Sequence, residues 1–276
     1  MKVIGIGDNV VDKYLHLNKM FPGGNALNFT VYAKKLGIHS AYIGIFGNDK
    51  AGKHVKKTLI DFGIDISHCR TYEGENGAAE VNLIDGDRVF IGGNGGGVSK
   101  QHPLKFHEND LNYIKKFDLI HTSCFSFIEE ELPSLSKLGM PISFDFSKNY
   151  DENYLDQVCP YIDFAFLSCG QLTEQKTKEK LKQVYDKGCK YVLGTRGIEG
   201  AFLLFNNKIY YQEAKKVEPI DTLGAGDSFI TVFLIEIINS SKVTEEVIER
   251  GLKKAAEFAS KTCLINGAFD YGKKIN

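Results

Sequence analysis

The sequence has no tryptophan, only 6 prolines, and no surplus of charge: Lys+Arg 34 stand against Asp+Glu 35. That balance excludes the clustered positive field that nucleic-acid wrapping or a polybasic membrane surface needs. Proline is too scarce for a collagen-like or proline-rich disordered chain. No long hydrophobic run occurs. The strongest, 229–238, is interrupted by Glu236 and falls far short of the roughly 20 residues that span a bilayer. The N-terminus, MKVIGIGDNVVD, has one lysine and a very short apolar run before Asp8. It reads as a first strand, not a signal peptide. The 6 cysteines are widely spaced and form no CxxC, so no disulfide or zinc framework is expected and a reducing cytoplasm is the natural compartment. The 7 histidines include no HExxH or paired Cys/His spacing, so no structural metal is expected. His121 reads as a hydrogen-bonded strand-end histidine rather than a catalytic base.

At 276 residues the chain suits one large α/β domain or two small ones. Short apolar runs alternate with helical patterns. Strands are expected over 2–6, 41–46, 118–121, 141–146, 163–167 and 191–194. Helices are expected over 25–36, 51–62, 129–138, 154–158, 172–187, 226–239 and 244–263. This rhythm predicts a parallel sheet covered on both faces. Two stretches break it, 12–21 and 78–90, and look like hairpin material, with a turn signal at Asp85-Gly86-Asp87. A further hairpin is expected over 201–211, turning at Asn206-Asn207-Lys208. No repeat or linker appears, so one domain over 1–276 with a small β insertion is expected.

Glycine is the residue in surplus: 28 copies, about 10% of the chain, where roughly 7% is average. Several cluster in strings that bear on chemistry. In Asp221-Thr-Leu-Gly-Ala-Gly-Asp227, the small residues Gly224, Ala225 and Gly226 lead straight into an apolar helix. A bare turn at a helix start makes an anion site. A carboxylate at Asp227 repels phosphate, yet fits if it accepts a proton from a hydroxyl attacking that phosphate. The same string also reads as an ordinary turn with an ordinary helix acid. Asp8, Asn9 and Asp12 follow the first strand, where open α/β sheets form their ligand crevice. Asp8 and Asp12 read either as acceptors for sugar hydroxyls or as turn acids. Gly23 and Gly24 open the next helix, where Asn25 or Asn28 can present an amide to a polyol, or Asn25 simply caps the helix. Thr195, Gly197 and Gly200 lie in a loop able to cover nucleotide phosphates, although no GxxxxGK[ST] string occurs. Residues 92–97, with five glycines, read equally as a lid hinge or a flexible loop.

Taken in order, these strings resemble the ribokinase-like sugar kinases, the phosphofructokinase B type family. The resemblance rests on Gly7 to Asp12, on Gly23, Gly24 and Asn28, on Thr195 to Gly200, and on the D-T-x-G-A-G-D string at Asp221 to Asp227. It implies a three-layer α/β/α sandwich with a small β-sheet lid, formed by about 12–21 and 78–92. It implies an enzyme that uses ATP with Mg²⁺, and K⁺ in many members. Asp227 would be the base, and Gly224, Ala225 and Gly226 the anion hole. Asp12, Gly23, Gly24 and Asn28 would hold the sugar. Thr195, Gly197 and Gly200 would lie along ATP, with Ala256, Ala259 and Ser260 on the adenine wall. K⁺ would sit near Asp221. The family's N-x-x-E string is replaced here by Ser168-Cys169-Gly170-Gln171, and Glu174 is the carboxylate placed to serve Mg²⁺ instead. Further runs, IGDNVVDKY, DGDRVF, FDFS and IDFAF, resemble the branch of the family that phosphorylates the 6-hydroxyl of fructoselysine. That implies a small-molecule amino-sugar substrate, its amino-acid end met by Asp8, Asn9, Asp87, Arg88 or Asn94. Other sugars of the family (fructose, 2-keto-3-deoxygluconate, ribose) and an inactive sugar or nucleotide sensor are the competing readings. Alternating apolar residues at Val81, Leu83, Val89 and Ile91 suggest a homodimer through the lid.

Overall fold

A computed structural model describes residues 1–84 and 87–275, and the side chains of 83–90 fall outside the description. In chain order the strands are β1 (Lys2–Gly7), β2 (Val10–Tyr14), β3 (Lys19–Gly23), β4 (His39–Gly47), β5 (Arg70–Tyr72), β6 (Ala78–Ile84) and β7 (Asp87–Gly93). They continue with β8 (Leu119–Ser123), β9 (Ile142–Asp145), β10 (Phe164–Ser168), β11 (Tyr191–Thr195), β12 (Ala201–Phe205), β13 (Lys208–Gln212) and β14 (Lys273–Lys274). Nine of them form one sheet in the order β13-β12-β11-β10-β9-β8-β1-β4-β5. Its members run parallel except β12, which lies antiparallel between β11 and β13 at one edge.

Parallel strands buried on both faces should be apolar without alternation, and β8 and β9 are buried at every position. Successive residues still divide between the two faces. Ile4 and Ile6 of β1 pack on one side with Ala165 and Leu167 of β10. Val3, Phe164 and Phe166 pack on the other, against the helices Asn25–Lys35, Ala225–Ile238 and Glu245–Thr262. The helix Ala225–Ile238 is apolar around its whole circumference and almost wholly buried, as expected of a helix enclosed by neighbours. Phe233, fully buried at its centre, contributes about 2–3 kcal/mol by leaving water. At the β12–β13 corner, Asn206 and Asn207 both adopt positive φ, the requirement of a two-residue hairpin turn that follows the strand twist.

The second sheet has the order β14-β3-β2-β6-β7. It arises from the two stretches that break the α/β rhythm, with β2 pairing parallel to β6. The expected turn at Asp85-Gly86 lies outside the described residues. Val81 points inward, packed with Tyr14 and Phe21, while Ile91 stands on the surface. Of the four alternating positions, Val81 and Ile91 therefore differ in burial, and the side chains of Leu83 and Val89 lie outside the described residues. Two short helices, Val98–Gln101 and Glu108–Ile114, and the strand β5 have no counterpart in the periodicity reading. Among the described residues, no helix is long and apolar enough to cross a membrane.

Candidate active site

The main sheet places β1 between β8 and β4. The chain leaves β1 to one side and later returns on the other, so the carboxyl ends of these strands border a crevice. Asp8 follows β1, Ser123 ends β8, Asp145 ends β9, Ser168 ends β10 and Thr195 ends β11.

The helix Asn25–Lys35 starts in this crevice. Its N-cap is Gly24, with φ 113°, a backbone conformation only glycine adopts freely. Gly24 offers no capping side chain, and Asp8 supplies the missing acceptor from the strand end. Its Oδ2 accepts from the Asn25 N–H at 2.6 Å and its Oδ1 from the Ala26 N–H at 3.1 Å. The hydroxyls of Ser123 and Ser126 also donate to Oδ1, at 2.9 and 3.1 Å. With the first turn fixed in this way, two amides three residues apart project from one helical face. Asn25 Nδ2 donates to Asp145 Oδ2 at 2.6 Å, and Asn28 Nδ2 to Asp227 Oδ2 at 2.6 Å. The Oδ1 of Asn28 is buried without a partner among the described residues, an acceptor in need of a donor. Asp12, on β2, is also buried. A Cβ on Gly23 would come within 2.4 Å of its Oδ2, so the glycine leaves that carboxylate room.

Gly224 is the N-cap of Ala225–Ile238, with φ 73°. A side chain there would come within 2.4 Å of the Tyr32 hydroxyl. Asp227 occupies the third position of this helix. The field of a helix start favours an ionised carboxylate by about 0.3–1 kcal/mol, less than one pKa unit. Burial works the other way and wins. Together with repulsion from Asp145, and lesser repulsion from Asp8 and Asp12, it pushes Asp227 up to about 8, against the relief given by Asn28. Asp145, buried at the end of β9, is pushed up to about 6, by burial foremost. Once ionised, a carboxylate with the affinity of Asp227 is base enough to take a proton from a hydroxyl, and that form builds up as the pH rises toward 8.

Two cavities meet at this helix start. The smaller, about 240 Å³, is bordered by Asn25, Asp145, Ser147, Gly224 and Asp227. The larger, about 930 Å³, runs from Ser168 and Lys148 along the loop after β11 to the helix Glu245–Thr262, with Cys263 on its wall. Ser168, Thr195, Thr222 and Gly226 border both. Thr195, Gly197, Gly200, Ala256, Ala259 and Ser260, which the sequence assigns to a nucleotide, all line the larger cavity. Ala225 and Gly226 stand at the junction.

Other expectations change. Asp8 is a buried helix anchor whose oxygens are taken by four donors, not a group turned to a ligand. Asn9 is buried, donating to the Tyr42 hydroxyl and to the Ile45 carbonyl. Asn94 stitches the glycine-rich turn: its Oδ1 accepts from the Ala78 N–H at 2.9 Å and its Nδ2 donates to the Asn76 carbonyl at 2.7 Å. Glu174 begins the helix Glu174–Asp186, is exposed and pairs with Lys178 at 2.5 Å. It borders neither cavity, because the helix leads it away from the strand end. Both oxygens of Asp221 are engaged, by the Leu223 N–H at 2.9 Å, the Gly267 N–H at 2.8 Å and the Tyr14 hydroxyl. The Arg88 side chain lies outside the described residues, as does that of Asp87. Asn25 is the first residue of its helix rather than its cap. His121 is fully buried against Ser143 and held down to about 3 by burial, which leaves it a neutral strand residue. Sequence reasoning passed over Asp145. Its signal was available: a carboxylate at the carboxyl end of a central strand.

The chain matches the model of the pfkB family carbohydrate kinases over residues 3–268. It is 45% identical to the fructosamine kinase FrlD of Bacillus subtilis, over 99% of this chain and 94% of that one. It is 37% identical to the fructoselysine 6-kinase of Escherichia coli, over 83% of this chain and 86% of that protein. The fold superimposes on Arabidopsis thaliana ribokinase, solved with ribose and ATP, with a TM-score of 0.81 at 20% identity, covering 98% and 94% of the two chains. A matched model spanning nearly the whole sequence, on a fold whose two cavities meet at a glycine-bounded helix start, establishes that the chain belongs to the pfkB family of carbohydrate kinases.

Proposed function

We propose that this protein transfers the terminal phosphoryl group of ATP to the 6-hydroxyl of fructoselysine. The observation that supports this most is the meeting of the two cavities at Gly226, with Asp227 on the smaller side. ATP fills the larger cavity, along Thr195, Gly197 and Gly200, its adenine against Ala256, Ala259 and Ser260. The sugar lies beside the smaller cavity, where Asn28 donates to Asp227, held by Asp12, Asn28 and the backbone of Gly23 and Gly24, which themselves border neither cavity. The 6-hydroxyl oxygen attacks the terminal phosphorus and its proton passes to Asp227. The bond to the bridging oxygen breaks and ADP leaves. The helix start at Gly224, Ala225 and Gly226 meets the charge on the moving phosphoryl group.

Mg²⁺ supplies charge neutralisation on the ATP phosphates when bound. The donor set fits an ion held mostly by phosphates and water: among the described residues, no cluster of three or more His, Cys, Asp or Glu could hold a metal alone. Asp145 and Asp227, near the phosphate path, are the carboxylates able to face its water shell. K⁺ near Asp221, as the resemblance implies, belongs to the same reading.

The amino-sugar assignment is supported by the two relatives named for fructosamine and fructoselysine, far above the identity to the ribokinase. A homodimer through the second sheet belongs to the same reading. Incubation with ATP and fructoselysine, followed by location of the phosphate by NMR, should place it on the 6-position. Turnover on free fructose, at equal concentration, should be the lesser. The reverse order would replace the substrate, and sugar binding with no ADP release would make the protein a sensor.

A further inference from the structure

We infer that Asp145 is a positioning residue for Asp227, acting on it through charge and through the helical turn that both carboxylates share. The inference rests on the phosphoryl-transfer reading, because it concerns the group assigned as base. Asn25 and Asn28 lie on one face of the first turn, each donating to one of the two carboxylates at 2.6 Å. Moving either carboxylate therefore pulls on the other's amide. Asp145 is itself fixed: its Oδ1 accepts from the Ser147 N–H at 2.7 Å, within a turn where Ser147 has φ 50°.

Among the described residues Asp145 forms no ion pair, and its two oxygens each accept from a different donor, Asn25 Nδ2 and the Ser147 N–H. Leaving a carboxylate there is costly, which points to a use in the chemistry. The groups that act on Asp227 are Asp145 from the end of β9, Asp8 from the end of β1, Asp12 from β2 and the Asn28 amide. Tyr32, on the same helix as Asn28, feels Asp227 in turn and stays a neutral phenol. The charge of Asp8 is spread over four donors and a helix start, whereas that of Asp145 meets only two. After burial, Asp145 has the largest influence in raising the proton affinity of Asp227. A base of higher affinity, in its ionised form, draws the hydroxyl proton more strongly.

The test is the pH dependence of kcat/KM for the sugar in Asp145→Asn. Its acid limb should move to lower pH by about one unit. A limb that stays in place while kcat falls would reduce Asp145 to a structural role and overturn the inference. The carboxyl carbons, followed by NMR in the ligand-free wild-type protein, give a second measurement that needs neither the variant nor turnover. Asp145 should titrate near 6, and the Asp227 carbon should respond to that step. An Asp227 curve blind to Asp145 overturns the inference. Asp227→Asn with near-normal turnover would instead remove the base assignment, and the NMR titration would still report whether the two carboxylates interact.

Discussion

The raised proton affinity of Asp227 makes the stability of the protein depend on pH. The folded state binds a proton that the unfolded chain has released between the ordinary carboxylate range and about 8. Stability linked to this group is complete below that window and is lost as the pH rises through about 8. Asp227→Asn should therefore raise Tm at pH 8 by a few degrees, since the amide oxygen can still accept from Asn28. It should also lower turnover by at least ~10²-fold. A differential scanning trace and an ADP-release assay on one preparation check both. Asp227 was legible in the sequence because three small residues precede it and an apolar helix follows. Asp145 carried only the weaker signal of a carboxylate at a strand end, because its tie to Asp227 runs through Asn25, 120 positions away. Asp8, Asn9 and Asn94 were placed in the right region, but their side chains serve the backbone. Residue type and neighbourhood cannot tell a ligand from a cap.

The helix Asn25–Lys35 begins without a cap of its own, and Asp8 provides one from another element. Asp8→Ala should cost about 1–3 kcal/mol, because two helix N–H groups and two serine hydroxyls lose their acceptor. Urea unfolding measures that loss. Turnover should fall with it, because Asn28 rides on the same turn. A variant as stable as wild type would show that water can replace the cap. The central strands were readable as continuous apolar runs, and the helix boundaries fell within a few residues of those observed. The second sheet was readable only as extended chain. The parallel pairing of β2 with β6 joins segments more than sixty residues apart, and local patterning does not record a register of that kind.

At the scale of the whole molecule, the second sheet remains partly uncovered. Leu15, Leu17 and Ile91 are 46%, 39% and 48% exposed, and β7 is an edge strand of that sheet. Such an edge invites pairing with another chain. Light scattering should therefore return twice the 30.8 kDa chain mass, and Ile91→Lys should return the single mass. A wild-type monomer at assay concentration would remove the dimer. The helix Glu245–Thr262 gives the molecule a second property through Cys263. This residue ends the helix Glu245–Thr262, and its carbonyl accepts from the Ile220 and Asp221 N–H groups. It also lines the larger cavity, whereas Cys124, Cys159, Cys169 and Cys189 are buried. A bulky adduct on its sulfur would occupy part of that cavity, the room the proposed function gives to adenosine, while leaving the packed core untouched. An electrophile able to enter the cleft could thus silence the protein without unfolding it.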